Sequence, residues 1–141
     1  METLYTAEAL STGGGRSGHV RTTDGVLDLD LAVPASMGGA GGAAANPELL
    51  FAAGYAACFH GALQAVARAQ KVSIHDTAVG SKVSIGPNGQ GGYQLAVELE
   101  VVIPELDRDA AQALADAAHQ VCPYSNATRG NIDVVVRVVE D

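Results

Sequence analysis

The sequence predicts an α+β domain of about six strands, with a long buried central helix and a second helix. Three observations carry this. β-Branched runs bounded by Gly and Pro turn signals gather towards the two ends of the chain. A capped apolar stretch of helical length lies between them. A second helical pattern then precedes the last strand. With 141 residues the chain suits one domain, residues 1–141, around one core.

The elements follow in order. Tyr5 to Leu10 reads as a first strand, broken at Gly13-Gly14-Gly15, and Ser17 to Thr22 returns as a second. Asp24-Gly25 is a hairpin signal, after which Val26, Leu27, Leu29 and Leu31 interleave with Asp28 and Asp30 as in a half-buried strand. The first third is therefore a β-meander. The Gly- and Ala-rich loop Pro34 to Ala45 is long enough to be a candidate lid. Asn46-Pro47-Glu48 starts a helix, with a capping Asn, Pro at the first helical position and an acid in the first turn. This helix runs to about Gln70, and its middle, Phe51 to Phe59, is apolar on nearly every side, which predicts burial all round. Thr77 to Ile85 and Tyr93 to Ile103 form a hairpin of long strands around Pro87-Asn88-Gly89. Asp107 caps a second helix through about Val121, with Leu106, Ala110, Ala113, Leu114, Ala117 and Val121 on one face. Pro123 stops it, and a short turn of helix at Tyr124 to Thr128 leads to a last strand, Ile132 to Val139.

Composition narrows the function. Sixteen acidic residues against eight basic ones give a formal charge of −8, which repels phosphate backbones and anionic lipid surfaces. No nucleic-acid partner is expected. The start METLYTAEAL has no basic region followed by an apolar core, so it does not read as a signal peptide and a cytoplasmic location is expected. The apolar run Leu49 to Phe59 is interrupted by His60 and falls short of the roughly 20 residues that span a bilayer, so no membrane association is expected either.

Chemistry centres on the two cysteines. In a reducing compartment a disulfide is more often catalytic than a staple, although two buried, inert thiols are the plain alternative. Cys58 lies mid-helix in apolar surroundings, where burial raises a thiol pKa, so a reactive role demands a nearby cation. Arg16 follows three glycines, an arrangement that can bring a guanidinium into a confined space; a solvated turn arginine is the alternative. Cys122 precedes Pro123 at a helix boundary, near backbone amides that favour a thiolate. The two cysteines are 64 residues apart with no Cys-x-x-Cys, so any pairing depends on the tertiary fold. His119 and Cys122 are spaced i, i+3, but two ligands do not make a zinc site, and His19, His60 and His75 show no helpful spacing. No metal is expected. A Cys–His hydrolase is disfavoured because His60, two residues after Cys58, points to another helical face. A binding module for apolar acyl ligands with inert thiols remains the non-enzymatic alternative.

Three blocks resemble a known family: Gly14-Gly15-Arg16, the stretch from Asn46-Pro47-Glu48 to Cys58-Phe59, and Val121-Cys122-Pro123-Tyr124-Ser125-Asn126-Ala127-Thr128-Arg129. In this order and spacing they resemble the organic hydroperoxide resistance (Ohr) proteins, a branch of the Ohr/OsmC family, along essentially the whole chain. The Gly-Gly-Arg placement favours Ohr over the OsmC branch. The resemblance implies an Ohr/OsmC-like fold in an intertwined homodimer, Cys58 as peroxidatic and Cys122 as resolving cysteine, and Arg16 and Glu48 ordering the site. It also implies an organic hydroperoxide substrate, no bound cofactor, and an external dithiol reductant such as dihydrolipoamide or a lipoylated protein. Phe51 and Tyr55 are candidate substrate contacts, suited to an alkyl or fatty-acyl chain. Glu48 and Cys58 lie ten residues apart on one helix, about 15 Å of rise, too far to share a site within one chain. If Glu48 serves the Cys58 chemistry, it most simply does so across a subunit interface.

Overall fold

The computed structural model describes residues 1–140 and groups them into two compact units, Met1–Leu50 and the chain from Phe51 onward. In the first unit, β1 (Ala9–Thr12), β2 (His19–Thr22) and β3 (Asp28–Asp30) form an antiparallel meander in that order. The strands are shorter than predicted, and the first begins at Ala9, leaving Leu4 and Tyr5 exposed ahead of it. The Asp24-Gly25 turn forms as expected. Asp24 Oδ1 accepts from the Thr22 hydroxyl and the Val26 amide, and the Thr22 amide closes on the Leu27 carbonyl at 2.9 Å. The loop after β3 contains a short 3-10 turn, Ala35–Met37, and is tied at its ends by a bridge between Leu31 and Ala45. None of residues 1–50 is fully buried.

Helix α1 (Pro47–Gln70) runs through the boundary between the units. The Asn46 side-chain oxygen accepts from the Leu49 amide at 2.8 Å, satisfying a free first-turn N–H as the sequence predicts. The expectation of all-round burial is corrected. Tyr55, Phe59, Ala62, Leu63 and Ala67 form one buried face, whereas Ala53, Ala57, Gly61 and Ala65 are exposed in the single chain. By length and mean hydropathy (1.4) α1 could cross a membrane, contrary to the reading of its apolar run as too short. Its buried face nevertheless belongs to the core, and its His60 and Gln64 both hydrogen-bond the Thr77 hydroxyl.

The second unit carries the core. β4 (Ala78–Pro87) pairs antiparallel with β5 (Tyr93–Val102), and β6 (Val134–Val138) adds in parallel to β5. The register places Val83 opposite Val97 and Ile85 opposite Leu95. Val97, Leu99 and Val101 point inward, while Glu98 and Glu100 alternate outward to pair with Lys82 and Arg137. Helix α2 (Arg108–Val121) starts at Asp107, whose side chain accepts from the Ala110 amide at 2.8 Å. Its Gln112 side chain accepts from the Val138 amide and donates to the Val136 carbonyl, satisfying the free edge of β6. The buried face of α2 is Ala111, Leu114, Ala115 and Ala118, continued by Cys122. This corrects the predicted face, since Ala110, Ala113 and Val121 are exposed. Alanines surround Leu114 on both sides, so two adjacent faces fit the 3.6-residue period equally well. Helix α3 (Pro123–Thr128) follows after the single residue Cys122.

Candidate active site

The first component lies within the N-terminal unit. The β1–β2 connection turns through Gly13 to Gly18 with a single 3-10 turn, Gly15–Ser17, which contains Arg16. A Cβ at Gly18 would sit 2.1 Å from the Thr12 carbonyl oxygen, so the turn closes only with glycine there. Arg16 then meets Glu48, in the first turn of α1, through two parallel hydrogen bonds: Nη1 to Oε2 at 2.9 Å and Nη2 to Oε1 at 2.7 Å. This fork-on-fork pair fixes the guanidinium plane as well as its position. Glu48 is largely buried, and the Arg16 guanidinium holds its carboxyl below the usual carboxylate range.

The second component lies within the C-terminal unit. The tertiary fold brings Cys58, in the middle of α1, within 3.6 Å of Cys122, the residue between α2 and α3. Both are free thiols; Cys58 is partly exposed and Cys122 fully buried. The Cys122 amide donates to the Ala118 carbonyl at 2.9 Å, and its own carbonyl accepts from the Asn126 amide at 2.9 Å. Burial pushes the Cys58 thiol up, opposed by the backbone amide of Tyr124 and reinforced by Cys122 beside it. A disulfide requires these sulfurs to close from 3.6 Å to about 2.05 Å.

Around the sulfurs, Phe51, Tyr55 and Tyr124 pack edge to face and tilted, with ring centroids 5.6 to 5.9 Å apart. Phe51 and Tyr124 line a cavity of about 610 Å³, together with Tyr93, Leu95 and Ile132. Neither sulfur lines it. Tyr124 borders the cavity, and its backbone amide opposes the upward push on the Cys58 thiol. Gly54 makes room for that ring: a Cβ there would lie 2.9 Å from the Tyr124 hydroxyl. Phe51 lines this cavity; Tyr55 does not. It is fully buried, and its hydroxyl is engaged by Ser125 and Thr128, so it backs the other two rings instead of facing the cavity. Tyr93 and Tyr124 are among the residues that line it. Only the fold could reveal this, because β5 and α3 bring them together from distant parts of the chain.

The histidines have other engagements. His60 bonds Thr77 at 2.8 Å, and His119 bonds the Ser125 hydroxyl at 2.7 Å. Among the described residues no group of three or more His, Cys, Asp or Glu is placed to hold a metal ion.

The family model for OsmC-like proteins matches residues 39–137, which sets the class of this fold and thiol pair. The chain is 52% identical over 134 residues to the organic hydroperoxide resistance protein of Xanthomonas axonopodis pv. citri (strain 306), covering 94% of this chain and 93% of that one. Among solved structures it is similar to an organic hydroperoxide resistance protein of Legionella pneumophila, with a TM-score of 0.92 at 52% identity over 97% of this chain and 98% of that one. It is also similar to OhrB of Bacillus subtilis, with a TM-score of 0.87 at 46% identity over 97% and 100% of the two chains. The chain belongs to the organic hydroperoxide resistance (Ohr) branch of the OsmC family.

Proposed function

We propose that the protein is a thiol-dependent peroxidase that reduces alkyl or fatty-acyl hydroperoxides to alcohols. The observation that carries this reading is the pair of free sulfurs 3.6 Å apart, one partly open and one sealed. The names of the relatives support the substrate class. The Cys58 thiolate attacks the distal oxygen of the hydroperoxide, the O–O bond breaks, and the alkoxide leaves as the alcohol after taking a proton. Cys58 is left as a sulfenic acid. Cys122 attacks its sulfur, water leaves, and a disulfide closes before a second hydroperoxide can overoxidise Cys58. An external dithiol, dihydrolipoamide or a lipoylated protein, reopens it. Because Cys122 is buried, the dithiol attacks at Cys58 and expels the Cys122 thiolate; its second thiol then closes to release Cys58.

Arg16 and Glu48 act as one unit that supplies the cation Cys58 needs. Helix α1 is continuous over Pro47–Gln70, so Glu48 and Cys58 are separated by about 15 Å of rise. Two copies of the chain answer this, each presenting its Arg16–Glu48 pair to the other's Cys58. The exposed surface supports such a homodimer. Residues 1–50 contain no fully buried side chain, Leu4, Tyr5 and Leu10 stand in solvent, and α1 exposes a strip of small residues against which a second chain could pack closely. We place the enzyme in the cytoplasm, where dithiol reductants keep it cycling.

The apolar cavity favours one alternative, an acyl-binding module with inert thiols. Steady-state turnover of an organic hydroperoxide and of hydrogen peroxide, each with dihydrolipoamide or thioredoxin as reductant, separates the two readings. The organic substrate with dihydrolipoamide is expected to turn over at least roughly tenfold faster than hydrogen peroxide, the discrimination an apolar pocket can supply. Absence of turnover, with thiols that survive organic hydroperoxide, would leave the binding module.

A further inference from the structure

A chain of buried and part-buried polar side chains links α2, α3 and α1, and the reaction above does not use it. His119 Nδ1 lies 2.7 Å from Ser125 Oγ, which lies 2.9 Å from the Tyr55 hydroxyl, which lies 3.1 Å from Thr128 Oγ1. Thr128 Oγ1 in turn donates to the Tyr124 carbonyl at 3.0 Å and approaches the Ser125 carbonyl at 3.2 Å. Tyr55 and Ser125 are fully buried and Thr128 nearly so.

Each hydroxyl has one proton to give. Every link is satisfied when donation runs in one direction: His119 Nδ1–H to Ser125, Ser125 to Tyr55, Tyr55 to Thr128, and Thr128 to the Tyr124 carbonyl. The chain therefore selects a His119 that carries its proton on Nδ1. It spans three helices, from the last turn of α2 through α3 to the middle of α1. Arg129 adds a clamp from the far end of α3, donating to the His119 carbonyl. What it clamps is α3, whose preceding residue is Cys122.

Building on the peroxidase reading, we propose that His119, Ser125, Tyr55 and Thr128 are positioning residues for disulfide closure: they hold α3 so that the Cys122 sulfur meets oxidised Cys58 before a second hydroperoxide does. Two fates compete for the sulfenic acid. Attack by Cys122 releases water and gives the disulfide, whereas a second hydroperoxide oxidises Cys58 to the sulfinic acid as it becomes an alcohol. Loosening α3 slows the first, which needs Cys122 in place, more than the second, which does not.

The test uses Tyr55→Phe, which keeps the ring and removes the hydroxyl, His119→Leu, and His119→Asn, whose side-chain amide can replace the Nδ1–H donor. Each full-length variant is titrated with cumene hydroperoxide, and disulfide and sulfinic Cys58 are quantified by mass spectrometry. In parallel, closure is timed with diamide, which takes up the two thiol hydrogens as the disulfide forms and needs no peroxide chemistry. The expected result for Tyr55→Phe and His119→Leu is closure roughly five- to tenfold slower, the scale of one lost buried hydrogen bond. The sulfinic fraction should rise to match, and His119→Asn should restore both. Native closure rates and native disulfide-to-sulfinic ratios in Tyr55→Phe and His119→Leu, even with lowered melting temperatures, would overturn the proposal. If the diamide closure rates respond as expected but no variant or native protein consumes hydroperoxide, the peroxidase reading fails and the positioning role stands.

Discussion

Replacing Cys58 by Ser is expected to abolish hydroperoxide turnover, by at least about 10³-fold, while the protein remains folded. A serine hydroxyl is essentially never ionised near neutral pH and is a poor nucleophile towards a peroxide oxygen, and the second thiol, Cys122, is fully buried. Cys58 is only partly buried, and the substitution is nearly isosteric, so the stability cost is small, on the order of 1 kcal/mol. Cumene hydroperoxide consumption with dihydrolipoamide, followed alongside circular dichroism, separates lost chemistry from lost fold. Undiminished turnover in the folded variant would remove Cys58 from the mechanism.

The second large effect is expected at the Arg16–Glu48 pair. Burial pushes the Cys58 thiol above its usual range, so the unassisted group stays mostly protonated at neutral pH. If the guanidinium supplies the missing stabilisation, Arg16→Gln is expected to reduce turnover at pH 7 by roughly 10²-fold, the scale of losing one preorganised charge. The pH profile carries the sign. Native turnover should be level across neutral pH, whereas in Arg16→Gln it should climb with pH as the unassisted thiol ionises. Glu48→Gln should weaken the same step less, because it leaves the guanidinium in place while weakening one of its contacts. The pair itself survives neutral pH. Arg16 depresses the Glu48 pKa in the fold, so their mutual stabilisation is complete above the ordinary carboxylate pKa and is lost only as pH falls through the lowered value. A native-like rate and profile in Arg16→Gln would assign that arginine a purely structural role.

Much of the fold was legible because local chemistry and long-range pattern agree. The Asn46 and Asp107 caps, the Asp24-Gly25 turn and the long alternating strands β4 and β5 stand where their residues require. Legibility failed where alanine replaces pattern with ambiguity. On α2, neighbouring alanines let two faces fit, and on α1 an all-round apolar composition gave no sign of which face the single chain covers. The four chemical residues, Arg16, Glu48, Cys58 and Cys122, could be nominated by type and resemblance, and the fold brings them together as two pairs. Their supports were hidden. Neither the effect of the Tyr124 amide on Cys58 nor the His119–Ser125–Tyr55–Thr128 chain has a complete local signature, since both depend on α3 meeting α1, with Ser125 and Thr128 reaching Tyr55 across some seventy residues of sequence.

The most direct measurement is of the bond itself: one equivalent of cumene hydroperoxide added to fully reduced protein, followed by peptide mapping without reduction. The expected product is a disulfide joining Cys58 to Cys122 within one chain, formed with equal release of the alcohol and reopened by dihydrolipoamide. Hydroperoxide consumed with both thiols still free, or a disulfide that joins two chains instead, would contradict it.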